Sequence, residues 1–585
     1  MTRQKKIRLL RGCIGAVASF LLSLAWNYTS LSNKLEQLSL DYRQAAFYQQ
    51  TFPSDKVVYI DIDERTLKNF EPQLGRWPWP RSIYKDVIEH INSGEPKAIM
   101  FDILFAGEQK GSDSDSILAE TSMNSKNTSH AIQLLPDSSF EGKDFINLPS
   151  DYGARFKLNW KNKSDEQLLK DTDFKGNEYH DIALPNSILY NKSLKFHAVN
   201  AEKDSDGLFR QMTLLFYYDK VWIPSLSLSA LLSFLEKPAL AYQKRFLMIY
   251  DGDSIKWKIP LNQTGRLSLL FYKNSDNFKV HSFGTILENA GKILKGEVED
   301  PAVLNPNPLT DFKDKIIIIG GSAMGLEDLK ATPVSSSSPG ALLHATAISN
   351  VMNETFLREP LSWLTFLVTF LLVTISYFSI LFFEDILMKF VLPMLSIGIY
   401  IALSFLLFRY FYVHLNLVSP VMFGFFALID SFVYMTFTEG QARKKITAAL
   451  SKYLSPEMTK HMVDNGIDPT AEVGHKKELS ILFSDIRGFT GLSEKLPPET
   501  VVNLLNEYLE IMTHIVFDNK GTLDKFIGDA LMAFWGAPVE DQRHALGATK
   551  AALQMSKKLK IINEKWRLAG RPTVRIGIGI NTGLV

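Results

Sequence analysis

The chain has 585 residues, with 64 Lys and Arg against 63 Asp and Glu for a net charge of +1. That balance leaves no electrostatic footprint for a nucleic-acid partner, and the length exceeds a single domain of roughly 100–200 residues. One cysteine, Cys13, excludes an intramolecular disulfide and a zinc site built on several thiolates.

Residues 1–11 carry Arg3, Lys5, Lys6, Arg8 and Arg11. An apolar run over 12–31 follows and matches the ~20 residues needed to cross a bilayer. A cleaved signal peptide is the rival reading, but it needs a shorter apolar region and a small-residue cleavage site, and none precedes Asn33. The run is read as a retained span with its basic end in the cytoplasm.

Residues 32–359 are polar and mixed. Lys56 to Asp63 (KVVYIDID) and Lys97 to Phe105 (KAIMFDILF) are strand patterns, and Arg81 to Gly94 suits a helix between them. Lys315 to Ile319 (KIIII) is a late strand running into Gly320-Gly321-Ser322. Alternating strands and helices predict an α/β domain, with β-rich insertions over roughly 110–300. Three features there invite a chemical reading. Asp61, Asp63 and Asp102 near strand ends suggest an acidic metal cluster, against turn and capping carboxylates, which are favoured. Gly320 to Gly325 (GGSAMG) suggests a phosphate loop but lacks the Lys-Ser/Thr pair and the G-x-G-x-x-G spacing, which favours a plain turn. Trp77-Pro78-Trp79-Pro80-Arg81 suits a ligand wall or, equally, a packed turn.

Taken in order, Asp41-Tyr42-Arg43, VVYIDID, GRWPWPR, AIMFDILF, KIIIIGGSA and PGALLHATAISN resemble the second CHASE-type extracytoplasmic sensor domain over about half the chain. The resemblance implies a signal-sensing role with an unidentified ligand and carries over no catalytic residue.

Three further apolar runs, 361–383, 390–408 and 413–437, each suffice to span a bilayer. With the first they make four, which puts both ends on one side. Glu384, Asp385 and Lys389 then belong to a cytoplasmic loop, Arg409 to Tyr412 to a short outer loop, and Arg443, Lys444 and Lys445 to a cytoplasmic exit. Asp430 inside the last run is costly in lipid; a structural hydrogen bond and a signalling role both stay open. Residues 438–474 connect to the last domain. Ile446, Ala449, Leu450, Tyr453 and Leu454 give a stripe compatible with a partner helix. Ser455-Pro456 starts a short helix, and 466–474 reads as a linker.

The final domain, 475–585, opens on a strand pattern in which Leu479, Ile481 and Phe483 alternate with Ser480, Leu482 and Ser484. Asp485 closes it, at the end where open α/β sheets hold ligands. Ile486 to Thr490 form a turn around Gly488 whose successive N–H groups suit a phosphate. A helix starts at Pro497-Pro498, with Val501, Leu504, Leu505, Tyr508, Met512 and Ile515 on one face. Thr522–Ile527 and Ala530–Trp535, joined by Gly528-Asp529, read as a hairpin. A helix over 541–568 and a strand over 574–580 complete the pattern. Two carboxylates at two element tips suggest a divalent-metal site; two turn aspartates are the plain alternative.

FSDIRGFT followed by GTLDKFIGDALMAFWG resembles the catalytic domain of the class III nucleotidyl cyclases. The resemblance implies an α/β, ferredoxin-like fold in which Asp485 and Asp529, with the Ile486 carbonyl, hold two Mg²⁺ or Mn²⁺ ions. Gly488, Phe489 and Thr490 would lie by the triphosphate. Lys525 stands where the family reads the purine: lysine suits adenine and glutamate guanine, while a solvated strand lysine is the plain alternative. The implied reaction is attack of the ATP 3′-hydroxyl on the α-phosphorus with loss of pyrophosphate. The family completes its site across a dimer with a second purine reader, an asparagine and an arginine from a later stretch. Since the sequence stops at Val585, the 585-residue form is expected to be a fragment with little or no activity.

The expectation is therefore a multidomain membrane protein: a CHASE-type sensor, four transmembrane helices and a C-terminally truncated class III domain. It would make cyclic AMP from ATP as a homodimer in a bacterial inner membrane, in contact with lipid, an unknown outer ligand and no nucleic acid. A guanylate cyclase, and a receptor with an inactive cyclase-like dimerisation domain, are the alternatives.

Overall fold

The computed structural model describes residues 3–47, 52–136, 156–162, 179–298, 308–358, 362–450, 460 and 476–585, apart from short gaps within some of these ranges. It divides into two compact units, Met1–Leu428 and Ile429–Val585.

In the first unit, helices Arg3–Asn27 (α1) and Ser30–Phe47 (α2) precede an α/β domain. Its strands are Val57–Ile62 (β1), Ala98–Phe101 (β2), Thr128–Leu135 (β3), Asp181–Ala183 (β4), Lys195–Ala198 (β5), Lys279–Ser282 (β6) and Ile316–Gly321 (β7). They form one sheet in the order β6-β1-β7-β2-β3, with β4 and β5 both on β3. Every pairing is parallel except β3 with β4. Val57–Ile60 and Ile316–Ile319 are fully buried along their length, because a parallel sheet covered on both faces needs apolar residues on both. Helices Glu64–Leu74 (α3), Ile83–Asn92 (α4), Ser114–Ser125 (α5) and Phe283–Leu294 (α7) pack over Val58, Ile60, Ile317 and Ile319. Leu226–Ser233 (α6) and Gly340–Met352 (α8) pack over Val57, Tyr59, Ile316 and Ile318. The expected β-rich insertion includes a three-stranded antiparallel sheet over 238–260.

Ser362–Phe382 (α9), Ile386–Phe411 (α10) and Val418–Leu450 (α11) follow. With α1, four helices among the described residues are long and apolar enough to cross a membrane, over Leu9–Asn27, Trp363–Phe382, Leu387–Phe411 and Val418–Thr438. Helix α1 packs closely on α9: a Cβ at Gly12 would stand 2.8 Å from Leu381 and one at Gly15 2.6 Å from Tyr377. Small residues permit such approach between apolar helices. The other end of α1 meets the start of α11, where Ser419 Oγ donates to Asn27 Oδ1 at 2.6 Å. The fourth apolar run begins at Val413, yet its helix begins at Val418, because residues 413–417 form a loop bonded to Arg358 and Glu36. The connector is helical as far as Leu450; Tyr453, Leu454, the helix expected from Ser455-Pro456 and the linker at 466–474 lie outside the described residues.

In the second unit, Glu478–Ile486 (β8), Phe489–Ser493 (α12), Pro498–Asp518 (α13), Thr522–Ile527 (β9), Ala530–Trp535 (β10), His544–Leu568 (α14) and Ile576–Leu584 (β11) follow one another. The sheet order is β9-β10-β8-β11, antiparallel throughout. Helices α13 and α14 cover one face, burying Leu504, Tyr508, Met512 and Ile515 from the first and Ala548, Met555, Leu559 and Ile562 from the second. On β8 the buried set is Ser480, Leu482, Ser484 and Ile486. The alternation favoured the opposite set as the apolar one, but Phe483 is 46% exposed. Both sets carry apolar residues, so the pattern of the strand alone does not select the covered face.

Candidate active site

The uncovered face of this second sheet gathers the residues that the sequence singled out. In an antiparallel pair, residues directly opposite share a face. Lys525 pairs with Met532, Met532 with Phe483, and Phe483 with Gly579, so these four make one row across the sheet. Asp485, two residues along β8 from Phe483 and opposite Gly577, lies on the same face. Lys525 reaches it through an irregularity. Leu523 opposes Ala533 and Lys525 opposes Met532, so the register shifts by one residue at Asp524. Leu523 is buried on the helix side, and without the shift Lys525 would follow it there. The Lys525 side chain is exposed, with Nζ 3.3 Å from Asp524 Oδ2. No sequence signal marked this bulge.

Asp529 arrives from the hairpin tip. Gly528 has φ 67°, as the first central position of a II′ turn requires, and Asp529 takes the second. Its Oδ2 accepts the Ile486 N–H at 3.2 Å, and the Asp485 carboxyl lies within hydrogen-bonding reach. Burial first, and then the Asp485 charge, push the Asp529 carboxyl above its ordinary 3.8. Two carboxylates drawn together at their own electrostatic cost are a donor set for a hard cation. Among the described residues no group of three or more His, Cys, Asp or Glu gathers as a metal site. The fit is therefore to an ion such as Mg²⁺, which takes few carboxylates and completes its shell from water and phosphate.

Gly488 is left-handed at φ 73° and precedes α12, which sets Phe489 at the edge of the core and Thr490 in solvent. Two residues escaped the sequence reading. Tyr508 counted only as part of an apolar stripe, but its buried hydroxyl lies 2.9 Å from Ser484 Oγ, directly beneath Asp485. Burial pushes this phenol up to about 12, with the two aspartates adding to the rise. Arg487 extends over β11, its Nε 3.4 Å from where a Cβ of Gly577, the residue opposite Asp485, would stand.

The aspartates of the first sheet are placed differently. Asp63 caps α3, accepting the Thr66 N–H at 2.7 Å. Asp61 accepts from the Tyr59 hydroxyl at 2.8 Å and from Ser322 Oγ at 2.7 Å. Asp102 is held well above its ordinary range by burial and then by Asp328. Gly320 lies within β7, where a Cβ would stand 2.8 Å from Ala341 Cβ, so this glycine serves helix packing. Trp79 is buried with Nε1 donating to the Gly75 carbonyl, and Arg81 pairs with buried Asp115. The Trp-Pro repeat is thus a packed turn.

Residues 16–381 match the CHASE2 domain family, and residues 471–585 match the adenylate and guanylate cyclase catalytic domain family. Among curated proteins, adenylate cyclase 1 of Rhizobium meliloti is 38% identical over 131 residues, covering 21% of this chain and 19% of that protein. An adenylate cyclase of Anabaena cylindrica is 32% identical over 148 residues, covering 24% of this chain and 28% of the relative. Among solved structures, the adenylyl cyclase CyaB from P. aeruginosa is 42% identical over 19% of this chain and 58% of its own, with a TM-score of 0.19. The chain thus spans 19% and 28% of these two curated relatives' lengths. It belongs to the CHASE2 family and carries, behind that sensor domain, a catalytic domain of the adenylate and guanylate cyclase family.

Proposed function

We propose that the protein is a membrane-bound sensor cyclase that converts ATP to 3′,5′-cyclic AMP and pyrophosphate. The observation that carries this is the convergence of Asp485, Asp529 and Lys525 on one uncovered sheet face. The order β-α-β-β-α-β supports the ferredoxin-like reading of the domain. Asp485 and Asp529, with the Ile486 carbonyl, would hold two Mg²⁺ or Mn²⁺ ions. Bound there, the metals would supply charge stabilisation at the attacking and leaving oxygens of an in-line displacement. Lys525 donates to an adenine ring nitrogen, and the backbone around Gly488, Phe489 and Thr490 binds phosphate. Ser484 and Tyr508 hold β8 beneath Asp485. Phe483, Phe526, Ile527 and Ile580 are exposed on the same unit, an apolar surface that suits a second cyclase domain.

On this reading the basic N-terminus and Arg443–Lys445 lie in the cytoplasm and the CHASE2 domain outside a bacterial inner membrane, as the positive-inside rule favours. The bonds of Glu36 and Arg358 to the loop at 412–418 support it, since that loop and the sensor must then share a side.

The test is cyclic nucleotide formed from ATP or GTP with Mn²⁺ by membranes carrying this chain, beside membranes carrying a form extended past Val585. Cyclic AMP that disappears with Asp485→Asn is the expected result. Cyclic GMP would overturn the reading of Lys525, and nucleotide binding without product would favour a receptor role.

A further inference from the structure

Helix α2 is polar, and its contacts divide between two parts of the first unit. Toward the sensor sheet, Asp41 accepts from Arg210 Nε at 2.8 Å and from Nη2 at 2.7 Å. Gln44 Oε1 accepts the Phe271 N–H at 3.2 Å. The same sensor segment is gripped by Asn350 of α8, which exchanges bonds with the Leu270 N–H at 2.9 Å and carbonyl at 3.0 Å. Toward the apolar helices, Glu36 Oε2 accepts the N–H groups of Leu417 and Val418, both at 2.9 Å. Arg43, fully buried, donates to Ser404 Oγ at 2.9 Å and the Leu415 carbonyl at 3.0 Å, and pairs with Glu36 at 3.1 Å. Leu40 joins Leu270, Leu357 and Phe408 in one apolar cluster at this joint. A second tie runs beside it: the Arg358 N–H donates to the Tyr412 carbonyl at 2.8 Å, and the His414 N–H to the Arg358 carbonyl at 2.9 Å.

The physics makes this joint stiff. The first N–H groups of a helix lack intrahelical partners, and a carboxylate there also meets the positive end of the helix dipole. Glu36 therefore fixes where α11 begins. A buried ion pair cannot lose one partner without leaving the other uncompensated, so Arg43 and Glu36 move with the loop or not at all. Glu36, Asp41 and Arg43 all lie on this one continuous helix, so the two sets of contacts share one rigid element.

We propose that α2 is a transmission element. It carries a change in the sensor sheet to the 412–417 loop and so to the start of α11, with Asp41 as its input contact and Glu36 and Arg43 as its outputs. All three are positioning residues. The proposal holds whichever reaction the C-terminal domain performs, because its readout involves no nucleotide.

The test is amide hydrogen exchange at Leu417 and Val418 in the full chain reconstituted in lipid nanodiscs. Arg210→Lys keeps the charge but loses the two-pronged grip on Asp41. It is expected to speed exchange at both amides about five- to tenfold, the net scale of one ordinary hydrogen bond. The increase should vanish when Glu36→Gln is already present. Asp41→Asn leaves Arg210 paired with Asp204 and Asp206, so it must reproduce the effect even if Arg210→Lys folds poorly. Ile286→Val, a core change away from α2, should leave both amides unchanged. Unchanged exchange in Asp41→Asn, or an equal rise in Ile286→Val, would overturn the proposal and reduce α2 to a strut.

Discussion

Aspartates close strands in both sheets of this protein, and the two sets have different surroundings. In the sensor, Asp63 is spent on a helix cap and Asp61 on two hydroxyls. In the cyclase domain, Asp485 and Asp529 approach each other, and among the described residues no cation pairs with either. A carboxylate at a strand end therefore says little by itself. What marks a site is a charge that the fold concentrates and leaves without local compensation.

The comparison can be broken most directly at the second pair. Asp485→Asn and Asp529→Asn should each lower cyclic-nucleotide formation by about 100-fold or more. The metal-free protein should melt at the same temperature or higher, since one of two repelling charges is gone. A variant that lost stability along with activity would make the pair structural, like its counterpart in the sensor. Next in size, Lys525→Glu should lower the ratio of kcat/KM for ATP over GTP by about 10- to 100-fold; an unchanged ratio would return Lys525 to an ordinary solvated residue.

Acid supplies a smaller test. Asp529 is held above 3.8 by burial and by Asp485, so protons compete with metal there. Mn²⁺-nucleotide affinity, followed by titration calorimetry, should fall by up to about tenfold per pH unit below the raised value. Without metal the sign for folding is opposite. Because the folded-state value is raised, the proton's contribution to stability is full below 3.8 and is lost as pH rises through that higher value. Asp102 should impose the same trend on the sensor, whose thermal midpoint falls as pH rises above 3.8, and Asp102→Asn should flatten it. The smallest effect belongs to the cap: Asp63→Ala should cost about 1 kcal/mol in denaturant unfolding of the sensor and leave nucleotide chemistry alone.

Much of this was legible in local pattern. KVVYIDID and KIIII marked strands, and their unbroken apolar runs fit the burial on both faces that the structure gives them. Gly528-Asp529 marked a hairpin because the turn needs its glycine. Three features were not legible, for one physical reason. The covered face of β8 is chosen by helices α13 and α14, which no alternation within 478–486 encodes. The bulge at Asp524 depends on which residue of β10 its neighbours face. Helix α2 makes its decisive contacts with residues far along the chain, so Asp41-Tyr42-Arg43 registered only as part of a resemblance and the helix's role did not.

Gly528 has a consequence for how the domain tolerates mutation. A Cβ there would meet nothing within 4 Å, so no clash would warn of a substitution. Yet its φ of 67° is a backbone state that side chains disfavour by about 1–2 kcal/mol. Replacing it would leave the core packed and the sheet paired while swinging Asp529 away from Asp485. The cyclase domain thus has a point of failure that no packing defect would announce and that a metal- or nucleotide-binding assay would find.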